Sequence, residues 1–150
     1  MIVRRSRLVV LIACLFLSSP ARASDVPIAI AEILSAPDAY HLQMVALQGR
    51  VGDVRQLEPY FLSSGTACYG AYTFLLEDDA GSVIEVAVLG LCGPPVIRFP
   101  EVSDGDLVLI QAQIQTSERT GSFRSFKTPG RVGSEPAVQA IARSISRIGE

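Results

Sequence analysis

Few side chains in this 150-residue chain have the types and spacing to do chemistry. Cys68, Cys92 and His41 supply at most three soft or imidazole ligands, and there is no C-x-x-C pair. A structural zinc site needs four ligands, so no metal is assigned. The cysteine pair suits a disulfide instead, provided the chain reaches an oxidising compartment. His41, beside Tyr40, has the chemistry of a general base. No nucleophile stands at a recognisable spacing from it, and G-x-S-x-G, H-E-x-x-H and glycine-rich phosphate loops are all missing. No catalytic residue and no cofactor is therefore assigned, and the chain is not expected to be an enzyme. The enzymatic alternative requires a pocket joining His41 to a carboxylate such as Asp53 or Glu85. Glu77-Asp78-Asp79 and Asp104-Gly105-Asp106 offer oxygen ligands of the calcium kind. Both fall short of a calcium loop's ligand count and sit where turns between strands favour Asp and Gly. Tyr60, Phe61, Tyr69 and Tyr72 form an aromatic set able to stack on sugars, peptides or bases.

The elements that must position these residues follow from hydrophobic periodicity. Asp25 caps a short helix with Pro27 in its first turn and Ile30, Ile33 and Leu34 on one face. Ala36-Pro37-Asp38 ends it. Residues 41–54 read as a strand, with Val45, Leu47, Gly49 and Val51 on one face. Gly49 in mid-strand predicts a bulge or sharp coil. Residues 55–70 form a loop. Residues 71–77 and 82–89 form a hairpin about Asp78-Asp79-Ala80-Gly81, with Tyr72, Phe74 and Leu76 on one face of the first strand and Ile84, Val86 and Val88 opposite Glu85 on the second. A turn centred between Asp79 and Ala80 brings Cys68 within one position of Cys92, which predicts their disulfide. Residues 96–104 are irregular. Residues 107–116 alternate strictly, with Val108, Ile110, Ala112 and Ile114 against Gln111, Gln113 and Gln115. Residues 118–121 turn the chain into 122–127. Residues 137–148 accept two readings. Val138, Ile141, Ile145 and Ile148 have helical spacing, and a closing strand also accommodates the stretch.

The N-terminus has the layout of a secretion signal. Arg4, Arg5 and Arg7 precede an apolar run from Leu8 to Leu17, and Ala21-Arg22-Ala23 supplies a small-x-small cleavage site. The run is shorter than the ~20 residues of a spanning helix. Residues 1–23 are thus expected to leave as a signal peptide, with cleavage after Ala23 and a periplasmic or secreted product. The alternative is the lipoprotein box Leu11-Ile12-Ala13-Cys14, which would lipidate Cys14 and is the one route to the membrane. Residues 24–150 then form one domain. They carry nine basic and fifteen acidic residues, which makes the body a poor match for a phosphate backbone. Arg119, Arg124, Lys127 and Arg131 concentrate basic charge near the C-terminus, and a nucleic-acid-binding alternative would use them.

The order of these segments carries a resemblance. The helix ending in Ala36-Pro37-Asp38-Ala39-Tyr40 is followed by Val45-Ala46-Leu47-Gln48-Gly49-Arg50-Val51. Tyr72-Thr73-Phe74-Leu75-Leu76-Glu77-Asp78 and Gly105-Asp106-Leu107-Val108-Leu109-Ile110 come next. Over about residues 28–116 this resembles the oligonucleotide/oligosaccharide-binding (OB) fold. It is similar to the anticodon-binding type and to small exported bacterial OB-fold proteins. The resemblance implies an all-β, five-stranded OB-fold barrel, closed or nearly closed, with a short N-terminal helix and a C-terminal extension, helix or strand, whose closing segment lies within 117–150. It also implies a ligand face on the second and third strands and nearby loops. Here that face includes Tyr60, Phe61, Tyr69, Tyr72 or Thr73, and Glu85. The expected function is a non-catalytic binding or assembly module for a protein, peptide or saccharide. Acidic surroundings and export make nucleic acid the poorer fit.

Overall fold

The computed structural model describes residues 26–95, 97–116 and 138–149. The signal peptide, Cys14, the helix-capping Asp25, the 118–127 turn and the basic residues between 119 and 131 lie outside these.

Alternating apolar residues build a closed barrel. Its wall comprises β1 (Met44–Gln56), β4 (Tyr72–Glu77), β5 (Val83–Val88), β7 (Leu107–Thr116) and β8 (Val138–Arg147). A second, small sheet is made of β2 (Tyr60–Phe61), β3 (Ala67–Tyr69) and β6 (Leu91–Cys92). Around the barrel the order is β1-β4-β5-β8-β7, closing back on β1. All barrel pairs are antiparallel except β5 with β8. This topology is compatible with the OB fold. Every apolar residue expected in the interior is there. Val45, Leu47, Val51, Phe74, Leu76, Ile84, Val86, Val108, Ile110 and Ile114 are all essentially inaccessible.

Within the 137–148 segment, Val138–Arg147 form a strand. β8 pairs antiparallel with β7 and parallel with β5, closing the barrel. Its register on β7 skips Arg143, since Gln111 faces Ser144 while Ala112 faces Ala142. This bulge shifts the inward phase by one position. Ala140 and Ala142 face the core before it, and Ile145 after it. The broken alternation is what imitates helical spacing in the sequence.

Two other expectations are corrected. The helix α1 spans Ile30–Ser35, and α2 is a single turn, Pro37–Tyr40. Pro27 is not in a helix but bridges to Ala46. The N-terminus of α1 is set by Asp78, whose Oδ2 accepts from the Ile30 N–H at 3.0 Å. Ile30 and Ile33 plug the barrel, while Leu34 is exposed. Gly49 is not a bulge, because its strand pairs without interruption from Met44 to Arg50. It is instead a close approach: a Cβ there would lie 2.4 Å from the Glu77 carbonyl oxygen. The bulge of β1 falls between Gly52 and Arg55, where Asp53 adopts a φ of 54°.

The acidic clusters tie turns together. Asp78 Oδ1 accepts from the N–H groups of Ala80 and Ser82, and Gly81 completes the hairpin turn at φ 80°. Asp104 Oδ1 accepts from the Val54 N–H at 2.9 Å. Asp106 Oδ2 accepts from the Ser103 N–H and pairs with Arg147 Nε at 3.2 Å. These carboxylate oxygens serve the backbone donors that turns leave open.

Candidate functional site: a groove beside the disulfide-pinned sheet

The hairpin register extends past the barrel wall. Tyr72 faces Val88, and further out Cys68 faces Cys92 and Tyr69 faces Leu91. The turn is thus centred on Ala80, and the cysteines are in direct register. They form a disulfide, with Cα atoms 3.9 Å apart. Cys68 is fully buried and Cys92 is exposed. The bond joins β3 to β6, and β2 pairs along the other side of β3.

An open groove of about 220 Å³ lies where this small sheet meets the barrel. Gln56, Leu57 and Pro59, at the end of β1, line it together with Tyr69 and Gly70 from the β3–β4 corner. Ala71 and Tyr72, both buried, contribute its floor. Ile97, Arg98, Phe99 and Pro100 run along it as an irregular strap. The corner demands glycine at position 70. Its φ is +72°, and a Cβ would meet Arg98 Cβ at 2.6 Å. That close approach seats the strap against the corner.

Exposed apolar surface concentrates here. Ile97 is 88% and Phe99 71% exposed. Phe61 at 63% and Leu91 at 53% extend apolar surface over the small sheet. Contiguous apolar surface on a folded domain marks a contact site more often than scattered single residues do.

The electrostatics of the groove are simple. Its one cation, Arg98, is bonded to Glu101 at 2.5 Å. The Tyr72 hydroxyl accepts a long bond, 3.4 Å, from the Glu101 N–H. Burial pushes the Tyr72 phenol above its usual value, partly offset by that bond. The Tyr72 ring belongs to the core, stacked on Phe74 at 6.3 Å.

The sequence-based site residues therefore divide. Tyr69 and Tyr72 line the groove. Tyr60 and Phe61 form β2 of the adjoining sheet. Glu85 does not line the groove; its carboxylate accepts from Gln139 Nε2 at 2.7 Å on the outer side of the barrel. On that same outer side Thr73, Ala87, Gln139 and Ile141 are buried, although their strand neighbours point into the core. The strand face implied by the OB resemblance is closed to solvent at these positions, and the open apolar surface lies at the barrel's corner. Ile97, Arg98, Phe99 and Pro100 were not singled out in the sequence. Their one signal is an apolar stretch between Pro94-Pro95 and Pro100 that has no strand or helix period.

His41 bonds Thr116, its Nδ1 3.0 Å from Thr116 Oγ1. The two carboxylates weighed as its partners are engaged elsewhere, Asp53 with Arg55 at 2.7 Å and Glu85 with Gln139. Among the described residues no group of three or more potential metal ligands comes together.

No protein-family model matches this chain, and a search of curated proteins returns no match. The fold defines the class, a closed five-stranded β-barrel, and the groove with its disulfide-pinned frame defines the candidate site.

Proposed function

We propose that this protein is an exported, non-catalytic OB-type module that binds its partner at the groove formed by Tyr69, Tyr72 and the 97–100 strap. The observation that carries this reading is the pairing of exposed Ile97 and Phe99 with a rigid frame. The frame is the Cys68–Cys92 bond and the Gly70–Arg98 approach. A preformed apolar surface costs little ordering when it binds. Export is supported by the basic–apolar–small order of residues 4–23 and by a disulfide, which persists in oxidising compartments. A nucleic-acid ligand is the weaker reading. Such binding draws on cations that displace counterions, and the groove's Arg98 is already paired with Glu101.

The test is titration of the purified protein with an environment-sensitive apolar dye, comparing the natural chain with Phe99→Ala. Phe99 is exposed, so its truncation leaves the fold intact. Saturable dye binding that Phe99→Ala weakens is the expected result. Dye binding indifferent to Phe99→Ala, or none at all, would remove the groove as the site.

A further inference from the structure

Resting on that reading of the groove, we propose that its occupant is a cationic polypeptide segment that inserts one bulky apolar side chain. Three observations lead there.

The first is size. About 220 Å³ accommodates a single large side chain, whereas pockets for whole small molecules run to ~300–1,000 Å³. Yet Ile97 and Phe99 continue the apolar surface well outside the groove. A small socket with a wide apolar apron fits a polymer that anchors one residue and lies across the rest.

The second is the small number of polar side chains in the lining. A saccharide presents hydroxyls that must find donors and acceptors. The groove's polar side chains are Gln56, Tyr69, Tyr72 and Arg98; Arg98 bonds the Glu101 carboxylate, and the Tyr72 hydroxyl accepts from the Glu101 N–H. An apolar anchor needs no such partners.

The third is charge. Arg98 is neutralised by Glu101, while Glu58 stands exposed between the lining residues Leu57 and Pro59. No basic residue occurs from 57 to 97, and among the described residues eleven carboxylates outnumber five arginines. A field of this sign attracts basic segments and repels acidic ones, and it acts mainly on encounter and selectivity.

The experiment uses three short amidated peptides, Lys-Trp-Leu-Lys, Ser-Trp-Leu-Ser and Glu-Trp-Leu-Glu. The protein has no tryptophan, so indole emission reports the peptide alone. The basic peptide should bind about tenfold more tightly than the acidic one at low salt. That preference should collapse near 1 M salt, where the Debye length is ~3 Å. Phe99→Ala should weaken the basic and neutral peptides by about fivefold or more. Glu58→Lys should shrink the basic-to-acidic ratio while leaving the neutral peptide unchanged. Equal affinity for all three peptides overturns the charge inference and leaves the groove standing. Dye bound at Phe99 but displaced by none of the peptides rejects a polypeptide occupant while the groove reading survives. Displacement of the basic peptide by a single-stranded oligonucleotide overturns the proposal in favour of the nucleic-acid reading.

Discussion

The barrel wall and the small sheet beside it are built by opposite means. In β7, five inward residues, Val108, Ile110, Ala112, Ile114 and Thr116, are buried and alternate over ten positions with half-buried ones. Hydrophobic burial of that kind is continuous around the barrel and uses no covalent help. The sheet of β2, β3 and β6 has strands of two or three residues and leaves Phe61 and Leu91 exposed. Strands so short bury too little to hold themselves. A disulfide substitutes for the missing core. On the proposed reading the contrast divides the roles: the wall provides stability, and the appended sheet trades burial for an apolar surface open to a partner.

The largest expected effect strikes the wall. Ile110 is fully buried between β1 and β8, paired with Leu47 and Ile145. Ile110→Ala should cost about 2–4 kcal/mol and lower the denaturation midpoint of the whole domain. A cost below about 0.5 kcal/mol, the range of surface substitutions, would show that the wall is not the main source of stability.

Next comes the bond that holds the appended sheet. Cys68 and Cys92 close a loop with a sequence separation of 24. The chain-entropy model assigns such a loop about 3 kcal/mol. Replacing both by Ser should lower thermal stability yet leave a folded barrel, with dye binding at the groove weakened more than stability alone accounts for. Thiol titration of the unreduced natural protein should find no free thiol at these two positions. If the serine variant unfolds entirely, the wall does not stand alone and the division of roles fails.

A smaller effect is expected at Asp78, which belongs to the wall's hairpin and to the helix that plugs the barrel. Its carboxylate accepts from Ile30, Ala80 and Ser82. Asp78→Ala leaves these donors to water and should cost about 1–2 kcal/mol, as loss of a capping carboxylate does. Asp78→Asn, which keeps an acceptor oxygen, should recover part of that. Chemical denaturation of the three proteins measures both.

How legible these regions were follows the same division. The hairpin and β7 were legible because alternation over six to ten residues encodes one buried face. The wall's last strand was ambiguous because Arg143 is bulged and four consecutive residues, Val138 to Ile141, are buried. The small strands could not be read, since two residues have no period. Tyr69 and Tyr72 were found from their aromatic type and from the ligand face that the OB resemblance implies. Ile97 and Phe99 were not, because an apolar residue in an irregular segment reads as core until the surface around it is known. The pairing of the cysteines was legible for a different reason: antiparallel register propagates arithmetically from one turn.

The smallest effect concerns the residue that both regions share. Tyr72 has its ring in the wall's core and its hydroxyl at the groove, near the Glu101 N–H. Burial raises its phenol above the ordinary value of 10.0, and the Glu101 contact lowers it in part. With the folded value above the unfolded one, the native state binds the proton more tightly. Stability from this group is complete below about pH 10 and is lost as pH climbs through the raised folded value. Denaturation followed between pH 8 and 12 should show this alkaline decline, and Tyr72→Phe, which has no proton to lose, should flatten it. Tyr40, whose half-buried ring carries a hydroxyl bonded to Glu32 at an exposed site, is also raised, but solvent screens its share. Tyr40→Phe should therefore change the slope less than Tyr72→Phe. The reverse order would mean that the Tyr72 hydroxyl is as solvated as a surface phenol, and the groove floor would then be wet where the wall's core was taken to begin.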